Sequence, residues 1–150
     1  MVQPNHPAPA FRASPGSPIT VLPSDLLLVT DVNGKIAATR GGAFGPGADW
    51  LPWVELGGNV SVALRTPIST LTTGTVTTLF VVNSTGGVAT TTMPSLGDAA
   101  SVAQTTWSEV PMQTVKAVPG SAVTPVANRE NGISLFLTDA SGEVVSTSSY

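Results

Sequence analysis

The sequence predicts an all-β fold made of three repeated units, each with four antiparallel strands. Its apolar stretches are short, rich in Val, Leu and Thr, and bounded by turn residues, which is typical of strands. No segment keeps a helical period, because Pro or Gly interrupts most windows of ten residues. One strand–turn–strand motif occurs three times along the 150 residues. We therefore expect almost no helix and a threefold internal repeat.

The repeated motif is a strand, then Asp or Asn, two further residues, Gly, and a second strand. It occurs at Leu27–Ile36, Leu79–Val88 and Leu135–Val144. The Asp or Asn side chain can cap the turn, and Gly accepts the positive φ that a tight hairpin requires. The three glycines are 52 and 56 residues apart. A period near 50 residues is typical of β-propeller blades or a similar array.

Extending this motif in both directions gives four predicted strands in the first two units and three in the last. The predicted strands are Ile19–Leu22, Asp25–Thr30, Lys35–Arg40 and Trp50–Leu56; then Val60–Arg65, Val76–Val82, Val88–Met93 and Thr105–Met112; then Val123–Ala127, Ile133–Thr138 and Glu143–Thr147. The chain therefore divides into a leader, residues 1–18, and a three-unit segment, residues 19–150. The units lie near residues 19–58, 59–113 and 114–150.

The third unit lacks a fourth strand, which the leader could supply from Ala8–Ser14. Phe11 precedes Ile19 by eight residues, much as Trp53 precedes Val60 by seven. The alternative is a frayed tail, since the leader contains five prolines. Propellers typically contain four or more blades, so three units predict either a ring completed by oligomerisation or a piece of a longer chain. A twofold dimer with six blades is the favoured form.

Composition excludes several functional classes. The net charge is −3 and only 10% of residues are charged, so a basic nucleic-acid-binding surface is absent. No apolar run approaches the length of a membrane helix, so we expect no membrane insertion. The chain has no Cys and a single histidine, His6. Thiolate metal sites, thiol nucleophiles and His clusters are therefore excluded, and we expect no metal and no cofactor.

The location of the protein is not predicted by the sequence. The segment Met1–Ala10 has neither a basic region nor an apolar region, so it is not a secretory signal as written. A secreted or extracellular location is favoured if a signal has been removed.

The order of motifs from the end of the first unit through the second carries a resemblance to a known family. Trp50–Gly58, followed by Val60–Arg65 and Leu79–Val88, resembles a blade of the bacterial β-propeller lectins of the Photorhabdus lectin type. The hairpin Leu135–Val144 resembles the same blade, and the fungal fucose-lectin propellers are more distantly similar. The resemblance implies a propeller fold and carbohydrate binding, with glycans as partners.

Seven residues are candidates for binding a sugar in such a blade. Tryptophan rings stack on the C–H face of sugars, and Glu and Arg bind sugar hydroxyls through paired hydrogen bonds. The candidates are Trp50, Trp53, Trp107, Glu55, Glu109, Arg65 and Arg129. The alternatives are structural: the indoles fill gaps between units, and the Glu and Arg residues form salt bridges between units.

Other polar residues have simpler interpretations. Asp31, Asn83 and Asp139 are predicted to cap the three repeated turns. Nothing in the spacing of the acidic residues brings two carboxylates together for glycoside hydrolysis, so no catalytic residue is assigned and we expect no enzyme activity.

The leading hypothesis is therefore a non-enzymatic, lectin-like module with multivalent shallow sites between blades. Two alternatives stay open: a structural, self-assembling propeller scaffold, and a propeller part of a secreted glycan-active enzyme.

Overall fold

The computed structural model describes residues 12–22, 26–40, 53–92, 105–112, 115–128 and 132–147. Every regular element in these ranges is a β-strand, and the strands form three antiparallel sheets, none of them closed on itself. The prediction of an all-β chain is confirmed for this part. No helix within it is long and apolar enough to cross a membrane. Two candidate residues, Trp50 and Arg129, and the leader through Phe11 lie outside the described residues.

The sheets follow one another along the chain, and each is a simple meander. Sheet one contains β1 (Thr20–Leu22), β2 (Leu26–Thr30), β3 (Ile36–Arg40) and β4 (Val54–Glu55). Sheet two contains β5 (Ser69–Thr73), β6 (Val76–Val82), β7 (Val88–Thr92) and β8 (Ser108–Glu109). Sheet three contains β9 (Thr124–Ala127), β10 (Ile133–Thr138) and β11 (Val144–Thr147). Strands that are consecutive in sequence are therefore neighbours in the sheet.

The repeated hairpins have the geometry that their sequence predicts. We call Asp31–Gly34, Asn83–Gly86 and Asp139–Gly142 the Asx turns. In each, the first residue accepts the backbone N–H of the fourth, and that fourth residue is a glycine with φ between 73° and 87°. A positive φ disfavours other residue types, which explains the glycine at this position.

A second kind of turn also repeats, and the sequence analysis missed it. We call Ser14–Ser17, Ala63–Thr66 and Val118–Ser121 the connecting turns; in each, the fourth residue donates its N–H to the carbonyl of the first. Their third residues, Gly16, Arg65 and Gly120, all have positive φ. Two of these turns carry Pro-Gly in the middle, which is typical of type II turns.

The predicted strand Val60–Arg65 is wrong. The first strand of sheet two is β5, and residues 60–65 form an irregular connection that leads into the connecting turn. The alternation that suggested a strand is real, because Val60 and Val62 are buried. The backbone, however, bonds to two different hairpins: Val62 donates to the Gly34 carbonyl, and Ser61 accepts from Ser84. No neighbouring strand pairs with this segment among the described residues.

In the first unit, residues 12–14 contact the Asx turn in the way that residues 61–63 do in the second. Ala13 forms an isolated antiparallel bridge with Asp31, and Val32 donates to the Arg12 carbonyl. Residues 12–14 therefore correspond to residues 61–63, and in this structure they lie on sheet one. The closing strand predicted over Ala8–Ser14 for a sheet-three blade in a dimer stays a prediction, since a single chain is described. Residues 8–11 of that prediction lie outside the described residues.

The spacing that compared Phe11 with Trp53 used positions that are not equivalent in the two hairpins. It compared Ile19 with Val60, whereas the hairpin register makes Ile68 the equivalent of Ile19. Trp53 precedes Ile68 by fifteen residues, and Phe11 precedes Ile19 by eight.

Two apolar layers hold the three sheets together. Leu28 and Ile36 of sheet one pack with Leu79 and Val81 of sheet two in the first layer. The second layer joins sheets two and three and includes Phe80, Val82, Val88, Leu135 and Leu137. Side chains alternate between the two faces along β6, so one face of sheet two is buried in the first layer and the other face in the second. Burial of this area removes apolar surface from water and is the main stabilising term.

Candidate functional site

The Asx turns use one side-chain oxygen to organise the backbone. Asp31 Oδ1 accepts the N–H of Asn33 at 2.8 Å and of Lys35 at 3.0 Å. Asn83 Oδ1 accepts equivalent bonds from Thr85 and Gly87. The prediction that these residues cap the turns is therefore confirmed for both.

The third turn has the same cap. Asp139 Oδ1 accepts the N–H groups of Ser141 at 2.9 Å and Glu143 at 3.0 Å, and also the Ser141 hydroxyl. The bond from the Ser141 hydroxyl contributes most to lowering the pKa of Asp139, and the backbone N–H groups of Glu143, Ser141 and Gly142 lower it further. The cap is consequently an anion at neutral pH.

Beside the first two turns, polar and charged residues lie where the last strand of the sheet ends. Glu55, Gly58, Glu109 and Lys116 among them are exposed, whereas Asp31, Lys35 and Asn83 are half-buried and Gly87 is buried. We call these groups polar ledges. The first ledge comprises Asp31, Lys35, Glu55 and Gly58. The second comprises Asn83, Gly87, Glu109 and Lys116. Their carboxylates belong to β4 and β8 at equivalent positions.

In the first ledge, a lysine holds the loop that follows β4. Lys35 Nζ donates to the carbonyls of Gly58 at 3.1 Å and Val60 at 3.2 Å, and to Ser61 Oγ at 3.0 Å. The exposed Glu55 carboxylate lies against the same loop, with Oε1 3.5 Å from the position of a Cβ at Gly58. The Lys35 ammonium therefore uses its three N–H groups to hold this loop, and the exposed carboxylate of Glu55 lies against the same loop.

In the second ledge, the carboxylate lies over the end of the Asx turn. A Cβ at Gly87 would come within 2.7 Å of Glu109 Oε1 and 3.1 Å of Asn83 Nδ2. Glycine at this position thus lets a carboxylate and a primary amide approach the same patch of backbone. Lys116 lies over the neighbouring Gly86, with its Cβ 3.6 Å from the equivalent position there. Both ledges therefore place an exposed carboxylate beside a nitrogen-bearing side chain, Lys35 in the first and Asn83 in the second.

Trp107 is a core residue and not a surface aromatic. It is 5% exposed, and its Nε1 donates to the Leu56 carbonyl at 2.9 Å. Asn59 binds the Trp107 backbone on both sides, accepting its N–H at 3.0 Å and donating to its carbonyl at 2.9 Å. The indole fills the space between sheets one and two, which is the structural alternative for this residue. Its ring faces are not available for stacking on a ligand in this structure.

The other tryptophan of the repeated position has a different environment. Trp53 is half-buried, so part of its indole faces solvent two residues before Glu55. Of the two candidate tryptophans in the described part of the chain, Trp53 is the one that is not buried.

Arg65 has a role in the turn that the sequence did not indicate. Its backbone N–H donates to Ser14 Oγ at 3.0 Å, and its side chain packs over Gly16, with Cδ 3.4 Å from a Cβ placed there. The prediction that Arg65 and Arg129 occupy equivalent positions of the repeat is wrong. The equivalents of Arg65 are Gly16 and Gly120, the third residues of the other connecting turns. Arg65 joins two turns, and its exposed guanidinium lies at this junction.

Sequence reasoning missed the two lysines of the ledges. Lys35 directly follows the Asp-x-x-Gly motif, and Lys116 lies shortly before a Pro-Gly pair. In a chain with only six Lys and Arg residues, these positions were the available signal. No group of three or more His, Cys, Asp or Glu side chains in the described ranges is arranged to hold a metal ion.

Comparison with known proteins does not assign the chain to a family. No protein-family model matches it, and no curated protein sequence matches it significantly.

Proposed function

We propose that the three sheets are successive blades of a β-propeller and that the chain is a non-enzymatic, lectin-like module that binds glycans. Support for the blades comes from topology. Each sheet is an antiparallel meander, and each packs face to face with the next sheet along the chain. Radial repetition of such sheets is how propellers are built.

The observation that carries the binding proposal is the repetition of the polar ledge. Glu55 and Glu109 are exposed at equivalent positions, and each lies beside a loop that also presents an ammonium or amide group. A carboxylate accepts hydrogen bonds from two sugar hydroxyls, and in the second ledge the Asn83 amide can donate to another. The three N–H groups of Lys35 are used within the protein, so this lysine shapes the first ledge. Neither ledge is deep, so a single site would bind weakly and repetition would raise the avidity.

The half-buried Trp53 strengthens this proposal for the first ledge. Trp53 directly precedes β4 and stands two residues before Glu55 in the sequence. An apolar ring beside hydrogen-bonding groups suits a ligand with one apolar and one polar face, which is the character of a pyranose.

A glycan array with matched variants tests the proposal. Wild-type protein should bind a defined group of glycans, and the double variant E55Q/E109Q should lose that binding by about tenfold or more, since hydrogen bonds to a charged group contribute about 1.5–3 kcal/mol. The control is Glu143→Gln, the same change at an exposed glutamate outside both ledges.

The outcomes separate the candidate functions. If folded wild-type protein binds no glycan at high concentration, the carbohydrate proposal is overturned and the structural scaffold is favoured. The scaffold has support of its own, because the Asx oxygens and Trp107 are used within the fold. Release of free sugar from a bound glycan would instead favour the glycan-active enzyme.

A further inference from the structure

The two faces of a sheet pack on different neighbours: one face of sheet two packs on sheet one and the other on sheet three. We call the face that packs on the following sheet the trailing face and the face that packs on the preceding sheet the leading face. Leu28 and Ile36 lie on the trailing face of sheet one and are buried in the first apolar layer. Phe80 and Val88 hold the equivalent positions in sheet two and are buried in the second layer.

Sheet three repeats this trailing face without covering it. Counted from the Asx turn, the equivalents of Phe80 and Val88 are Phe136 and Val144. Phe136 is 41% exposed and Val144 is 72% exposed. Residues that are fully enclosed at the two internal interfaces are thus open to solvent at the third.

Sheet one has a leading face that is open along its first strand. Ile68 and Val123 lie on the leading faces of sheets two and three and are buried in the two apolar layers. Their equivalent in sheet one is Ile19, which is 65% exposed, and Val21 on the same side is 58% exposed. Further into the sheet this face is already covered, since Leu27 is half-buried and Val29 is buried.

The backbone shows the same pair of complementary ends. The carbonyls of Gly34 and Gly86 accept the N–H groups of Val62 and Ala117, respectively. A Cβ at either glycine would meet a carbonyl oxygen of this connecting segment at 2.6 Å. At Gly142 an added Cβ meets no described atom within 4 Å, so the space that the segment fills at the other turns is open there.

Ala13 is the equivalent of Val62 and Ala117 in the first unit. Its bridge with Asp31 is of the type in which the flanking residues make the bonds: Ser14 donates to Thr30, and Val32 donates to Arg12. The N–H of Ala13 therefore points away from Asp31, toward the side where Val62 meets the preceding turn. Ala13 has the donor, and Gly142 has the acceptor, of the bond that joins the other units.

We propose that the trailing face of sheet three docks on the leading face of sheet one in a second copy of the chain. Val144 and Phe136 then cover Ile19 and Val21, and the Gly142 carbonyl accepts the Ala13 N–H. The contact repeats the two interfaces within the chain, in which a trailing face packs on the leading face of the next sheet.

Such a head-to-tail contact generates either a closed ring or an open filament. Propellers typically have four to eight blades. Two copies of a chain with three sheets give six, whereas three copies give nine, so a ring of two copies is the form that fits this range.

Light scattering after size-exclusion chromatography tests the proposal on the full chain. Wild-type protein should have twice the 15.2 kDa chain mass. Val144→Lys and Ile19→Lys should each raise the dissociation constant by about a hundredfold or more, because a charge is buried at each copy of the interface. The matched control is Val76→Lys, which changes an exposed valine beside the β5–β6 turn and should leave the mass unchanged.

A mixing experiment fixes the direction of the contact. When the V144K and I19K variants are combined, one unaltered face remains on each, so a head-to-tail interface should form between them. A wild-type monomer overturns the proposal, and a larger open assembly overturns the two-copy ring. An I19K variant that dimerises as well as wild type, with V144K monomeric, overturns the head-to-tail arrangement in favour of a contact between two trailing faces.

Discussion

At the scale of single residues, the three Asx-turn glycines separate the cost of backbone strain at a positive φ from the cost of steric overlap with a neighbouring segment. Gly34, Gly86 and Gly142 share a positive φ, but only the first two have a carbonyl oxygen of a connecting segment at 2.6 Å from an added Cβ. Replacement by alanine therefore adds the same backbone strain at all three positions, of about 1–2 kcal/mol. A steric cost is added at two of them.

We predict that Gly34→Ala and Gly86→Ala lower the free energy of unfolding by about 1–3 kcal/mol more than Gly142→Ala. The comparison is made by urea denaturation in the V144K background, so that association contributes nothing. Equal losses at the three positions would show that the close approach of the connecting segments has no energetic weight.

The burial of Trp107 gives a second prediction at this scale. Trp107→Phe removes the donor to the Leu56 carbonyl and leaves space between sheets one and two. We expect the free energy of unfolding to fall by about 2–4 kcal/mol. Trp53→Phe, at a half-buried indole, should cost clearly less. A comparable loss for both would contradict the assignment of Trp107 alone to the core.

Asp139 predicts how stability depends on pH. Its hydrogen bonds lower its pKa from the ordinary value of 3.8, so its contribution is present above that value and is lost as the pH falls through the folded-state pKa. Asp139→Asn keeps the capping oxygen, as Asn83 does naturally, and removes the titration. The difference in unfolding free energy between wild type and D139N should therefore shift against wild type below about pH 3.8. A difference that stays constant from pH 6 to pH 2 would contradict this.

At the scale of elements, hairpins were predictable and connections were not. The strands Val76–Val82 and Ile133–Thr138 have the bounds that the sequence predicts, because each joins an apolar run to an Asx turn with a local signature. The strand β5 was missed because Ser69–Thr73 is mostly polar. Residues 60–65 were misassigned because they alternate in burial like a strand but bond to two different hairpins and not to a neighbouring strand.

The candidate site divides in the same way. The equivalence of Glu55 and Glu109 follows from their repetition after a repeated tryptophan, and the sequence indicates it. Their exposure is seen only in the structure. The ledges themselves depend on contacts between segments far apart in sequence, such as Lys35 with Gly58. No local pattern encodes those contacts, and the same is true of the different burial of Trp53 and Trp107.

The connecting turns lead to a prediction about an element. Ala63–Thr66 has Leu-Arg where the other two turns have Pro-Gly, and Arg65 has a φ of 68°. The double variant L64P/R65G restores the repeated sequence. It should stabilise the protein by about 0.5–1.5 kcal/mol, because it relieves strain at Arg65 and restricts the unfolded chain at residue 64. Thermal and urea denaturation measure this effect.

The same variant tests whether Arg65 binds sugar. If the guanidinium serves only to join two turns, glycan binding should be unchanged while stability rises. The control is Arg65→Lys, which keeps the charge and the backbone strain. Loss of binding in L64P/R65G, with binding kept in R65K, would restore Arg65 to the candidate site.

At the scale of the whole molecule, assembly through the open faces of sheets one and three determines how many polar ledges one particle carries. A ring of two copies carries each ledge twice, so the assembled protein has twice as many sites as one chain. Binding to a surface that displays many glycans then depends on assembly, whereas binding of a single free sugar does not. The two proposals therefore make a joint prediction that neither makes alone.

We predict that Val144→Lys weakens binding to a glycan-coated surface by about 10²-fold or more while leaving the affinity for the free monovalent sugar unchanged. Val144 is outside both ledges, so the change acts through assembly and not through the site. Surface plasmon resonance on a dense glycan surface, paired with calorimetry on the free sugar, measures the two quantities. Val76→Lys should change neither. A V144K variant that loses affinity for the free sugar would mean that the interface contributes directly to the site, and an unchanged surface affinity would mean that each chain binds on its own.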